Sequence, residues 1–117
     1  MSETGIKQLQ QRIRDFADAR DWDQFHSPKN LSMALIAEAA ELVEHFQWLT
    51  EEQSRDLPEK TRTGVKHEMA DIFVYLLRLA DKLDIDLLEV AEQKIQLNEE
   101  KYPADKVRGS ARKYTDY

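Results

Sequence analysis

Four acidic residues stand out because each pair has the spacing of neighbours on one helix face. Glu38 and Glu41 are three residues apart in the segment ALIAEAAELVEHF, and Glu68 and Asp71 repeat that spacing in KHEMADIFVYLL. Residues three apart on a helix lie about 5–6 Å from each other between their Cβ atoms. If the two helices pack together, we expect the four carboxylates to converge.

The surroundings of these acids predict burial and a bound cation. Glu38 falls in the apolar stripe of its helix, and Asp71 lies in a segment that is apolar nearly all round, so we expect both to be buried. Ionised carboxylates in a low-dielectric interior need a compensating positive charge. Oxygen ligands alone, without Cys or His in these slots, favour Mg²⁺, with Mn²⁺ as the other candidate, over zinc.

Other interpretations of the same residues remain open at this point. The acids could be surface charges paired with lysines, and the chain could be a non-catalytic helical interaction module. A di-iron bundle would use Glu-x-x-His on two helices, a pattern that the chain lacks. His45, four residues after Glu41, is either a further ligand or a residue at the helix boundary.

Apolar periodicity and capping signals predict four main helices and no strand. Ser27 before Pro28 is a helix start, Asp86 with Glu89 resembles a capping box, and Pro103 ends the last helix. The expected helices cover about 5–20, 28–48, 58–83 and 87–102, with a loop at 21–27 and a polar break at 50–57. This pattern predicts an all-α, four-helix bundle-like domain over 1–102, followed by a basic tail at 103–117.

The amino-acid composition argues against a membrane protein and against a nucleic-acid-binding protein. The 117 residues carry a net charge of −6, contain no cysteine and have 34% charged residues. No stretch approaches the roughly 18 apolar residues of a membrane-spanning helix, so we expect no membrane partner. An acidic chain is a poor binder of nucleic-acid polymers, and the absence of cysteine favours a cytoplasmic location. Residues 101–117 nevertheless hold five basic and two acidic residues.

Aromatic and polar side chains fall where a pocket could form. Trp22 lies in the loop before the second helix, Trp48 at that helix's end, and Tyr75 one turn beyond Asp71. Such rings either stack on a base or anchor the core. Asn98 continues the apolar stripe of the fourth helix with a polar group, as a pocket wall would.

These residues together carry a resemblance to a known family. Glu38-x-x-Glu41 followed 30 residues later by Glu68-x-x-Asp71 resembles the metal motif of the MazG-like, all-α nucleoside triphosphate pyrophosphohydrolases. Within that superfamily the chain is most similar to the dCTP pyrophosphatases. The similar segments are RDWDQFHSPKNL, EAAELVEHFQW, HEMADIFVYL, LNEEKYP and SARKYTDY.

The resemblance implies a reaction and a set of roles. The reaction is Mg²⁺-dependent hydrolysis of a deoxynucleoside triphosphate, preferably dCTP or a modified dCTP, to the monophosphate and pyrophosphate, in house-cleaning of the nucleotide pool. The alternative is a broader activity that includes dUTP. The four carboxylates would hold the metal, and Glu41 or Glu44 would be the general base. The implied substrate contacts are Trp22, Asp23, Gln24, Phe25, His26, Trp48 and Tyr75 for the nucleoside, and Lys94, Asn98, Tyr102, Arg112 and Lys113 for sugar and phosphates.

The resemblance also implies a homodimer or homotetramer with sites at subunit interfaces. The all-round apolar third helix fits this assembly, because a four-helix monomer could hardly cover it. One departure concerns Ile13, since relatives can place a substrate-facing histidine there in the first helix. Base selectivity is the property that this departure affects.

Overall fold

All regular secondary structure is helical in the part of the chain that the structure, a computed structural model, describes, residues 3–111. No strand occurs among these residues, which confirms the all-α class. The elements are α1 (Glu3–Ala19), a 3₁₀ turn (Asp23–Phe25), α2 (Pro28–Glu44), α3 (Glu51–Arg55), α4 (Glu59–Lys82), α5 (Leu87–Lys101) and α6 (Ala104–Val107).

The helix starts follow the capping chemistry of the sequence. Ser27 Oγ accepts a hydrogen bond from the backbone N–H of Asn30 at 3.2 Å, and Pro28 takes the first helical position of α2. Asp86 Oδ1 accepts from the backbone N–H of Glu89 at 3.1 Å and begins α5 in the same way. Each cap satisfies a backbone donor that has no partner within its own helix.

The segment between α2 and α4 differs from the prediction. α2 ends at Glu44 rather than near Trp48, and the backbone N–H of His45 turns to the carbonyl of Leu42 at 3.2 Å. The polar break contains the short helix α3, which begins with a reciprocal capping box between Thr50 and Gln53. Apolar spacing extended α2 too far because Leu49 continues the stripe of Leu31, Leu35 and Leu42, whereas local capping bonds determine where this backbone turns.

α4 is the helix on which both α1 and α2 pack. Gln10 donates to the carbonyl of Leu77 at 3.3 Å, and Arg14 pairs with Asp81 at 2.7 Å. A later residue of α1 therefore contacts a later residue of α4, which means that the two helices run parallel. These helices belong to a compact unit that extends to residue 84, and residues from 85 onward form a second unit, which contains α5 and α6.

The apolar core of the described residues is small. Its buried members are Ala17, Leu31, Val65, Leu77 and Ala80. Met69, Phe73 and Leu76 on α4 remain more than a third exposed, as an all-round apolar helix in a single chain would be. None of the described helices combines the length and the apolar character that crossing a membrane requires.

The imidazole of His45 packs closely against Gly64, and this contact leads to a stability prediction. A Cβ atom built on Gly64 would lie 2.7 Å from Cε1 of His45, so alanine requires the imidazole to move. We expect Gly64→Ala to lower the free energy of unfolding by about 1 kcal/mol, because overpacking outweighs the gain in helix propensity. In a His45→Ala background the same change should raise it by about 0.5–1 kcal/mol. Urea unfolding of the four proteins measures both effects, and stabilisation in both backgrounds would contradict this packing.

Candidate functional site

The predicted acidic cluster forms where α2 crosses α4. Carboxylate oxygens of Glu38, Glu41 and Glu68 all lie within 4.8 Å of one another. His45 meets α4 at Gly64, one turn before Glu68, so the two helices run antiparallel. The i, i+3 spacing on each helix thus brings acids from both helices to one place.

Asp71 differs from the other three acids. Its side chain is exposed, so the expectation of burial was wrong, and among the described residues it does not join the tight group. An apolar helix predicts burial only if other elements cover it, and Val74, on the next turn of α4, is itself 36% exposed. The charge of Asp71 nevertheless reaches the cluster, because it contributes to the raised pKa of Glu38 and of Glu68.

Two oxygens of the cluster are buried without a partner. Oε2 of Glu38 and Oε2 of Glu68 make no hydrogen bond, although both are inaccessible to water. Burial and the neighbouring Glu41 carboxylate raise the pKa of Glu38 to about 7. The Glu41 carboxylate, followed by burial, also raises the pKa of Glu68. Orphaned, hard oxygen donors at one point fit a divalent cation such as Mg²⁺ or Mn²⁺.

A cavity of about 440 Å³ adjoins the cluster, within the usual size range of ligand pockets. Its walls are formed by Ile13, Phe16, Ala17, Trp22, His26, Glu38, Asp71, Val74, Tyr75 and Arg78. The cavity lining therefore contains two of the four acids, Glu38 and Asp71. It also contains three of the predicted nucleoside contacts, Trp22, His26 and Tyr75. One wall is acidic and the remainder is largely aromatic and aliphatic.

The end of α1 positions Trp22. Asp21 takes a left-handed backbone conformation (φ 54°), the N–H of Trp22 returns to the carbonyl of Ala17 at 2.9 Å, and that of Asp21 returns to Asp18 at 3.1 Å. These bonds form a Schellman motif, which ends the helix and reverses the chain. The Trp22 ring then meets Phe16 edge to face, with 5.6 Å between ring centroids.

The 3₁₀ turn holds the residues after Trp22 against α4. Asp23 accepts from Arg78 at 2.7 Å and from Lys82, and the Lys82 ammonium lowers the pKa of Asp23. Gln24 donates back to the carbonyl of Asp21 at 3.0 Å rather than toward the cavity. Phe25 is 59% exposed.

The remaining predicted residues fall into three groups: residues of the first unit that do not line the cavity, residues of the second unit, and residues outside the description. Trp48 is 87% exposed in the turn after α2, and Glu44 is exposed at the last position of α2. Lys94, Asn98 and Tyr102 belong to α5 and its C-cap in the second unit. Arg112 and Lys113 lie outside the described residues.

The sequence prediction missed Arg78, which lines the cavity and is only 3% exposed. The signal available was one cation within the apolar run YLLRLA, since a charge on a buried face requires a partner. Phe16, Val74 and Ala17 were missed as well, because apolar periodicity marks them as core and does not distinguish a core wall from a pocket wall.

Comparisons with known proteins agree with this architecture. The model of the MazG-like family matches residues 34–117. A mouse (Mus musculus) protein named dCTP pyrophosphatase 1 is 40% identical over 97% of this chain and 68% of its own length, and the human protein of that name is 36% identical over the same shares.

A solved structure is similar as well. A pyrophosphatase from Archaeoglobus fulgidus matches with a TM-score of 0.80 and 37% identity, over 85% of this chain and 93% of that one. The resemblance inferred from the paired acids is thus confirmed at the level of sequence and of fold. The chain belongs to the MazG-like family.

Proposed function

We propose that the chain hydrolyses a deoxynucleoside triphosphate, with dCTP or a modified dCTP preferred, to the monophosphate and pyrophosphate in a reaction that depends on Mg²⁺, or on Mn²⁺ in its place. The observation that carries the proposal is the pair of orphaned, buried oxygens on Glu38 and Glu68 beside a cavity of nucleoside size. Relatives named dCTP pyrophosphatase 1 and a structural relative described as a pyrophosphatase support the same reaction.

The acidic cluster would hold the ion. Glu38, Glu41 and Glu68 would supply its ligands, and Asp71, which lines the adjoining cavity, would supply a further oxygen. When bound, such an ion polarises a phosphoryl oxygen and neutralises charge on the departing pyrophosphate.

The remaining groups bind the nucleoside and move a proton. Trp22 and Tyr75 would contact the base within the cavity. Glu41, or Glu44 one turn further along α2, would accept the proton of the attacking water. The proposed substrate contacts also include Trp48, Lys94, Asn98, Tyr102 and the tail cations Arg112 and Lys113. A second subunit would supply some of them.

The first prediction from the proposed function tests the reaction itself. Glu38→Gln and Asp71→Asn should each lower Mg²⁺-dependent release of pyrophosphate from dCTP by at least about 100-fold, because each removes an anionic ligand. Glu92→Gln, the same change at an exposed position of α5, should leave the rate unchanged. Near-wild-type turnover by either cluster variant would contradict the four-carboxylate site.

The same assay distinguishes the alternatives. A panel of standard and modified dNTPs should give dCTP or a modified dCTP the highest kcat/KM. Equal rates on dUTP would favour the broader pyrophosphohydrolase. No turnover, together with no thermal shift from Mg²⁺ and a non-hydrolysable dCTP analogue, would favour the non-catalytic interaction module.

The second prediction concerns pH and stability without metal. The folded pKa of Glu38 is about 7, above its usual value of 4.5, so the folded state binds this proton more tightly than the unfolded chain. The resulting stabilisation is complete below the unfolded pKa and is lost as pH rises through about 7. In EDTA, wild-type Tm should therefore fall from pH 5.5 to pH 8, and Glu38→Gln should show a smaller fall.

Mg²⁺ supplies the matching control for this pH effect. At pH 8 it should restore the Tm of the wild type and of Glu92→Gln more than that of Glu38→Gln, because only the last lacks the ligand. An equal pH dependence of Tm in all three proteins would contradict the coupling of Glu38 to the cluster.

The third prediction concerns assembly, which we propose is a homodimer or homotetramer. Leu42, Met69, Ala70, Ile72, Phe73 and Leu76 line an open apolar groove between α2 and α4. Leu76→Lys should reduce the mass measured by sedimentation equilibrium, because burial of a charge in an interface is costly, whereas Leu76→Met should not. A wild-type protein that is monomeric at micromolar concentration would contradict the assembly.

A further inference from the structure

Arg78 is a buried cation whose hydrogen bonds go to the connection between α1 and α2. Its Nε donates to Nδ1 of His26 at 3.2 Å, and its Nη2 donates to Oδ1 of Asp23 at 2.7 Å. Nη1 lies 3.6 Å from a carboxylate oxygen of Asp81, one turn further along α4. Both Arg78 and His26 line the cavity.

The N–H groups of Arg78 are directed at these neighbours rather than left for a ligand. Asp23 and Asp81 flank the guanidinium, and Arg14 holds Asp81 in place with two hydrogen bonds of 3.0 and 2.7 Å. A cation kept for a phosphate would instead face the ligand without carboxylate partners. The arrangement is that of a support for the 3₁₀ turn and for His26.

The contact with Arg78 determines which nitrogen of His26 carries the proton. A guanidinium keeps its protons in proteins and can only donate, so Nδ1 of His26 must accept. The hydrogen of the neutral ring then resides on Nε2. Burial, Arg78 and Lys82 lower the pKa of His26, which favours the same neutral form.

We infer that Arg78 is a positioning residue that acts through His26, so that the cavity offers a neutral N–H donor to a lone-pair acceptor of the bound base. The acceptor class comprises the carbonyl oxygen and the unprotonated ring nitrogen of a pyrimidine such as cytosine. This inference rests on the proposed function for the identity of the ligand. The tautomer that it assigns to His26 does not depend on any activity.

The tautomer can be observed directly in the ¹⁵N-labelled protein without substrate. Long-range ¹H–¹⁵N spectra near pH 7 should show His26 with an unprotonated Nδ1 and a protonated Nε2. His26→Gln identifies its signals among the three histidines of the chain. Arg78→Met should convert His26 to a mixture of tautomers, whereas Arg14→Met, which breaks a neighbouring ion pair of the same network, should not. A wild-type His26 that is protonated on Nδ1 would overturn the inference.

Kinetics on dCTP test whether Arg78 acts through His26. Arg78→Met should raise KM about 3- to 10-fold, the loss expected for one hydrogen bond to the ligand, with kcat changed less than about 3-fold. The double variant with His26→Ala should be no worse than His26→Ala alone. If the KM increases of the two single variants multiply in the double variant, the two side chains act separately, and the inference would be overturned.

Two further measurements separate this role from stability and from the proposed function. Arg78→Lys keeps the charge but lacks Nε, so it should regain Tm relative to Arg78→Met while KM stays raised; a KM restored to the wild-type value would overturn the inference. If the wild type does not hydrolyse dCTP, the proposed function fails, and the His26 spectra still decide the role of Arg78.

Discussion

The crossing of α2 and α4 with acidic side chains between them is the constraint on which the rest of the structure depends. Buried carboxylates close together raise the free energy of the folded chain unless a cation joins them. Apolar residues on the same helices, Leu31 on α2 and Val65 and Leu77 on α4, offset that cost by their burial. Gly64 on α4 also leaves room for the imidazole of His45 at the end of α2. A local cost in stability thus coincides with the proposed metal site, as in many binding sites.

The charges on α4 give the cavity two different ends. Glu68 and Asp71 place acids near the middle of the helix, and Arg78 lies two turns beyond Asp71, about 10 Å along the axis. Under the proposed function, a nucleoside with its phosphates toward the acids and its base toward His26 and Arg78 would span such a distance. The net charge of −6 for the chain therefore conceals separate acidic and cationic regions, and the total does not argue against an anionic ligand that brings its own metal.

Much of this arrangement could be predicted from the sequence, because local signals were consistent with one another. The caps at Ser27 and Asp86 gave helix starts, and the paired i, i+3 acids gave the cluster and the family. The exposure of Asp71 could not be predicted, since periodicity shows that a helix has apolar faces but not what covers them. The contacts of Arg78 join residues 52 and 55 positions apart, and no periodic pattern carries such pairings.

The Schellman motif at the end of α1 constrains the length of the connection that forms one wall of the cavity. The same few residues stop a helix, reverse the chain and form one wall of the cavity through Trp22. An insertion or deletion between Ala17 and Ser27 would alter the helix stop and the cap of α2 together. Loop length, which many enzymes vary to accept new ligands, is therefore constrained here. Under the proposed function, changes in specificity would arise from side-chain replacement on the helices, at positions such as Ile13 and Arg78.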